Sequence, residues 1–117
     1  MSETYFRIQT ADRDPADLLD PEHQISGHWS NIESMDRPGV SVCASREDLA
    51  RYLAGAGIPF GVGEWVLVEL RGERSDVADY DAAFGALLVH PTEIVAVAPL
   101  DDEFYDLVGA AYDAMVA

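Results

Sequence analysis

Three side chains near one predicted helix start are the nucleophile candidates of this sequence. Ser41, Cys43 and Ser45 lie in the segment GVSVCAS, directly before residues that favour a helix. The positive end of a helix can lower the pKa of a nearby thiol, which would favour nucleophilic chemistry at Cys43. The sequence places no histidine beside these residues, and it contains no G-x-S-x-G motif. We therefore expect Cys43 to pack as a small buried hydrophobic side chain rather than to react.

The histidines, the acidic loops and the glycines form no familiar metal or phosphate motif. His23 and His28 share one segment, but His90 lies far downstream, whereas a metal needs three or four converging ligands. The acidic residues do not follow the spacing of a calcium loop. The glycine-rich stretch 55–63 follows a predicted helix and lacks the Lys-Ser/Thr ending of a P-loop. We expect no metal site, and we expect this glycine-rich stretch to connect a helix to a strand.

The charge excludes some classes of partner. The chain has 22 acidic and 7 basic residues, a formal net charge of −15, and all its basic residues are arginine. A field of this sign repels nucleic acid and anionic membranes, so we expect binding to neither. Two interpretations remain: the acids could mimic nucleic acid or steer a basic partner, or they could simply keep the protein dispersed. We favour the second, because the acids are spread along the sequence.

Length and cysteine content predict one cytoplasmic domain. With 117 residues and 49% hydrophobic content, the chain suits a single domain over residues 1–117. It has no apolar run long enough to span a membrane, and its first residues lack the pattern of a secretory signal. A lone cysteine cannot form an internal disulfide, which agrees with a cytoplasmic location.

The apolar patterns predict the elements that must position any site. Strands alternate with period two and helices place apolar residues three and four apart. Ser45 can cap the first helix, and Asp101 or Asp102 the second. The predicted strands are 4–10, 39–44, 64–71 and one bent or two short strands within 84–99; the predicted helices follow Ser45 and Asp101.

The order of these elements predicts an α+β fold. Strands dominate, and the helices do not alternate regularly with them. We expect a mostly antiparallel or mixed sheet, with one helix after the second strand and one at the C-terminus. Residues 11–38 carry no sustained periodicity apart from a helical turn that Asp14 and Pro15 can open. Such long irregular segments are often functional, so we expect part of the binding surface there.

One combination of residues resembles the ADP-ribosyltransferase-like fold, including its compact bacterial domains that cleave NAD. Arg7 lies inside the first predicted strand, the sequence SGHWS follows, and Ser41 and Ser45 lie where a strand leads into a helix. The resemblance implies that Arg7 holds the phosphate or ribose of NAD. It also implies that Ser41 and Ser45 support the nicotinamide site, and that Trp29 or Tyr52 offers a stacking surface.

The sequence departs from that family at the catalytic acid. A glutamate on a late strand stabilises the oxocarbenium-like transition state in the family, but residues 84–86 here are FGA. The nearest acids are Asp79, Asp81 and Glu93; we take Asp81 as a cofactor-binding candidate, and the catalytic residue stays unknown. Loss of a group that stabilises developing charge costs about 10²–10³ in rate. The alternative for Arg7 is an exposed strand residue paired with an acid, worth about 0–1 kcal/mol.

The leading hypothesis is therefore a non-enzymatic module that binds a protein partner and needs no cofactor. Aromatic residues and methionine are enriched at interface cores, so Trp29, Met35, Phe60 and Trp65 are the candidate anchors, although Trp65 fits a core position better. The partner is another protein or a second copy in a homodimer. The alternative is an ADP-ribosyltransferase-like NAD-binding domain, active or degenerate. An acidic mimic of nucleic acid is the third hypothesis.

Overall fold

Strands and helices of the computed structural model follow the predicted order. The structure describes residues 3–25, 37–56, 64–79 and 82–116. Within them, neither helix has the length and apolar composition that crossing a membrane requires. The α+β class, with one helix after the second strand and one at the C-terminal end, is confirmed. The elements are β1 Glu3–Thr10, β2 Val40–Cys43, α1 Arg46–Ala56, β3 Trp65–Arg74, β4 Ala86–Pro99 and α2 Asp102–Val116, with short 3₁₀ helices at Pro15–Leu19, Pro21–His23 and Ala82–Phe84.

The four strands close into a barrel in the order β1-β2-β4-β3, and every pairing is antiparallel. β3 pairs with β1 along the full length of β1, from Glu3 opposite Gly72 to Thr10 opposite Trp65. The seam between β1 and β2 is far shorter, since its register holds the single pair Phe6 and Cys43. Closure joins β1 and β2 at this seam and gives each strand an inner and an outer face.

Both faces of the barrel are covered. Alternation along β1 turns Tyr5, Arg7 and Gln9 inward, and all three are buried. The outer face carries α1 and α2. The inner core consists of Tyr5, Leu18, Val40, Val42, Val68, Leu70 and Val89. The outer core consists of Cys43, Leu49, Leu53 and Phe104, with Phe6, Ile8, Tyr52, Leu67, Leu100, Leu107 and Val108 packed against it.

β4 is one continuous strand, which settles the choice that the sequence left open. It runs through Pro91, and its register against β3 shifts between Glu69 and Leu70 and again between Arg71 and Gly72. Proline cannot donate to a ladder and is tolerated beside such irregularities, because the pairing is already locally interrupted.

Both predicted helix starts are capped as expected. The Ser45 Oγ accepts a hydrogen bond from the Asp48 N–H at 3.0 Å. Asp101 rather than Asp102 caps α2, since its Oδ1 accepts from the Phe104 N–H at 2.8 Å. Each cap satisfies a backbone donor that lacks a partner within its helix.

The described part of segment 11–38 is more regular than the sequence suggested. Asp14 does open a helical turn, since its carboxylate accepts from the Ala16 N–H at 2.9 Å. Leu18 is fully buried in the inner core. Gln24 ties the segment to β4, because its Nε2 donates to the carbonyl oxygens of Leu18 and Pro91, each at 3.0 Å. This part is therefore fastened to the barrel; residues 26–36 lie outside the described residues.

We predict that Gly72→Ala destabilises the protein by about 1–3 kcal/mol. A Cβ at position 72 would lie 2.7 Å from the His90 carbonyl oxygen, so the β3–β4 ladder would have to move apart. Gly109→Ala is the matched control, because a Cβ there meets no atom within 4 Å. Urea unfolding measures both variants; equal stability of Gly72→Ala and wild type would contradict this close approach.

Candidate functional site

Arg7 lies inside the barrel and not on its surface. Only 8% of the residue is exposed, and its Nη1 donates to the Ser41 carbonyl oxygen at 3.3 Å. Burial lowers the pKa of Arg7 to about 10, and the charge of Arg13 adds to the effect. The interpretation of Arg7 as an exposed strand residue is therefore wrong. A closed barrel buries the inward face of β1 whatever side chain stands there.

The two serines of the resemblance have different surroundings. Ser41 does contact Arg7, but through its backbone: the Ser41 carbonyl oxygen accepts the hydrogen bond from the guanidinium. Its side chain alternates with Val40 and Val42, which belong to the inner core, so it lies on the opposite face. The Ser45 hydroxyl is engaged as the cap of α1.

The remaining candidates are not gathered around Arg7. Tyr52 is half-buried and packs against the outer core, on the other side of the sheet. Asp79 contributes to the pKa of Cys43, a residue of that same outer core. Glu93 lies opposite Arg71 in the β3–β4 register. Trp29 and Asp81 lie outside the described residues, as do the candidate anchors Met35 and Phe60, whereas Trp65 is half-buried at the start of β3.

Cys43 is a buried thiol of the outer core, as the sequence predicted. It is 1% exposed and packs with Leu49, Leu53 and Phe104. Burial, together with the nearby charges of Asp48 and Asp79, raises the pKa of Cys43 to about 12. The thiolate needed for nucleophilic attack is therefore scarce at neutral pH.

We predict that Cys43 reacts with Ellman's reagent at pH 8 at least about a thousandfold more slowly in the folded protein than in urea. The chain has one cysteine, so the signal reports this site alone. Because the folded pKa exceeds the unfolded value, the thiol contributes its full stabilisation below about pH 8.5 and loses it as the pH rises toward the folded pKa. Rapid labelling of the folded protein would contradict the burial of Cys43.

The two described histidines, His23 and His90, take part in local structure, whereas His28 lies outside the described residues. His23 Nδ1 lies 4.0 Å from an Asp20 carboxylate oxygen, and His90 Nδ1 lies 3.2 Å from Gln24 Oε1. Across the described ranges, no group of three or more His, Cys, Asp or Glu residues is arranged to hold a metal ion.

The outward face of α2 is the feature that the sequence analysis missed. Tyr105, Gly109, Tyr112 and Val116 are spaced by four, three and four residues, which places them in one row along the helix. The three side chains are 40%, 55% and 64% exposed. Met115 is 57% exposed as well. We call Tyr105, Gly109, Tyr112 and Val116 the outer row.

The sequence did contain a signal for the outer row. Phe104, Leu107, Val108 and Ala111 already supply one complete apolar face for α2. The helix therefore holds more apolar residues than one face can bury. Exposed acids border the outer row on its far side; they are Asp102, Asp106 and Asp113.

A cavity of about 220 Å³ lies at the N-terminal ends of α1 and α2, on the outer face of the barrel. On its rim Arg46 Nη2 lies 3.5 Å from Asp101 Oδ1, and the Arg46 guanidinium stands 6.0 Å from the centre of the Phe104 ring. Strands β1, β3 and β4 form the floor. The cavity is lined by Phe6, Arg46, Leu67, Glu69, Ala96, Ala98, Pro99 and Asp101.

Comparison with known proteins identifies no relative: the chain matches no protein-family model, no curated protein and no solved structure. No residue roles can therefore be transferred from a relative. The function has to be argued from the outer row, the cavity and the surroundings of Arg7.

Proposed function

We propose that the protein is a non-enzymatic, cytoplasmic module that binds another protein through the outer row of α2. The observation that carries the proposal is the exposure of two tyrosines and a valine in one row, beside a helix face that is already packed. Tyrosine is enriched at the centres of protein interfaces because its ring buries much apolar area while its hydroxyl stays hydrogen-bonded. Burial of the outer row by a partner would remove this apolar surface from water.

Gly109 supports the same surface. Glycine within a helix costs about 0.5–1 kcal/mol relative to alanine. The described part of the chain does not require it here, since a Cβ at this position meets no atom within 4 Å and the backbone is ordinary helix. A glycine between Tyr105 and Tyr112 leaves a shallow saddle in which a partner's backbone can approach α2 closely.

The charges favour a basic partner over a second copy. Two copies joined through the outer row would bring their bordering acids, Asp102, Asp106 and Asp113, close together, and each chain carries a net charge of −15. Like charges across an interface oppose association, whereas a basic partner is steered toward this face. A homodimer is the competing outcome, and sedimentation of the purified protein detects it directly.

We predict that Gly109→Leu abolishes partner binding without weakening the fold. A Cβ at position 109 meets no atom within 4 Å on this exposed side of α2, so the variant should resist urea at least as well as the wild type, because glycine is replaced by a better helix former. Its side chain would fill the saddle and keep the partner away from the tyrosines. Affinity capture from native cell extract, followed by titration of the captured and purified partner, measures the effect.

Gly109→Ala is the matched control for this experiment. It stabilises the helix by about 0.5–1 kcal/mol and should keep most of the binding, because a single methyl group barely fills the saddle. A partner that binds Gly109→Leu and wild type equally would contradict the proposal. So would a monomeric wild-type protein that captures nothing.

NAD binding through Arg7 and Ser41, which the resemblance implies, stays a prediction: the two residues are in contact, but through the Ser41 backbone carbonyl and inside the barrel. Thermal unfolding with and without millimolar NAD tests it. NAD held at 100 times its Kd would stabilise the fold by about 2.7 kcal/mol and raise the Tm by several degrees. We expect no shift, because Arg7 is buried and already hydrogen-bonded within the barrel. A shift in wild type that Arg7→Lys loses would instead support NAD binding.

A further inference from the structure

The cavity at the start of α2 contains the Glu69 carboxylate, which pairs with no group in the described part of the chain. Glu69 is half-buried on the outer face of β3, and its cross-strand neighbours are Phe6 and Ala96. Among the described residues its carboxylate has neither a hydrogen bond nor an ion pair. Arg71 follows two residues later on the same face, but it stands opposite Glu93 and is not within ion-pair distance of Glu69.

The other two charged residues that line the cavity form an ion pair with each other. Arg46 and Asp101 lie 3.5 Å apart on the rim and offset each other. The remaining net charge of the lining is therefore negative and belongs to Glu69. The walls around it are apolar, from Phe6, Leu67 and the two alanines of β4. A half-buried carboxylate in such walls loses hydration and gains from a cationic partner.

We propose that this cavity accepts an arginine side chain of the protein partner; the inference rests on the proposed function and names the chemistry of that partner. At about 220 Å³ the cavity is smaller than the roughly 300–1,000 Å³ of pockets that hold drug-sized ligands. It suits a single long side chain. The apolar walls take the methylene groups, and the guanidinium meets the Glu69 carboxylate.

Arginine fits better than lysine for two reasons. Its planar guanidinium can donate two parallel hydrogen bonds to one carboxylate, and it can stack on the ring of Phe6. It is also more weakly hydrated than an ammonium group, so entry into an apolar cavity costs it less.

The cavity and the outer row form one continuous surface. Asp101 on the cavity rim lies four residues before Tyr105, so the two stand one above the other at the start of α2. Gly109 follows eight residues after Asp101, which is about 12 Å along a helix. The partner is therefore expected to present its arginine near the N-terminal end of α2 and its apolar residue at Gly109.

The test is an NMR titration of the full chain with N-acetyl-arginine amide, a probe that carries the guanidinium and no negative charge. We expect saturable shifts of the amides of Phe6, Leu67, Ala96 and Ala98. N-acetyl-citrulline amide, which has the same shape without the charge, should bind at least about fivefold more weakly. The affinity of N-acetyl-lysine amide should lie between those of the other two probes.

Glu69→Gln should lower the affinity for the arginine probe by about fivefold or more, whereas Glu73→Gln should leave this affinity unchanged. Glu73 is an exposed acid further along β3, so both variants remove one charge from the same strand. The inference is overturned if the arginine probe causes no amide shifts, or if the citrulline probe binds equally well. It is also overturned if Glu69→Gln and Glu73→Gln reduce the shifts equally. The citrulline comparison uses wild type alone and holds even if Glu69→Gln fails to fold.

The titration also separates this inference from the proposed function. Gly109→Leu should leave the arginine probe unaffected, because position 109 lies outside the cavity lining. If the probe binds while Gly109→Leu still captures the partner, the outer-row proposal fails and the arginine site stands. If the probe does not bind while Gly109→Leu loses the partner, the arginine site fails and the outer-row proposal stands.

Discussion

Closure of a four-stranded sheet is the constraint on which the rest of the structure depends. β1 and β2 meet through the single residue pair Phe6 and Cys43, so the ladder contributes little at this seam. The buried guanidinium of Arg7 crosses to the Ser41 carbonyl oxygen at the same place. A hydrogen bond from a charged donor contributes more than a neutral one, and it is strengthened by the low dielectric of the interior. Arg7 therefore helps to stabilise the closed barrel at the seam between β1 and β2.

Closure also decides which surface is left for binding. The inner face of the barrel is filled by its own core, with Leu18 added from segment 11–38. The helices and any partner must use the outer face. There α1 and α2 bury Phe104 and their leucines, but α2 still presents the outer row, and the strands below its first turn form the floor of the cavity. Both features follow from a small barrel whose outer face, within the described ranges, is covered by α1 and α2.

Local signals in the sequence predicted the elements well, whereas closure was not visible in them. The caps at Ser45 and Asp101 and the burial of Cys43 follow from short-range rules of hydrogen bonding and apolar burial. The burial of Arg7 depends on pairing between residues far apart in sequence. The sequence analysis weighed Arg7 as an exposed strand residue, but the face of β1 that carries Arg7 is buried inside the closed barrel.

Amide hydrogen exchange of the protein, alone and saturated with its purified partner, tests the binding surface most directly. The account predicts slower exchange in 102–116 and in the strand segments 67–69 and 96–98 that line the cavity. Exchange in 15–25 should not change, because that part of the chain is fastened to the opposite side of the fold by Leu18 and Gln24. Protection of 15–25 with an unchanged α2 would contradict the account and move the interface to the other face.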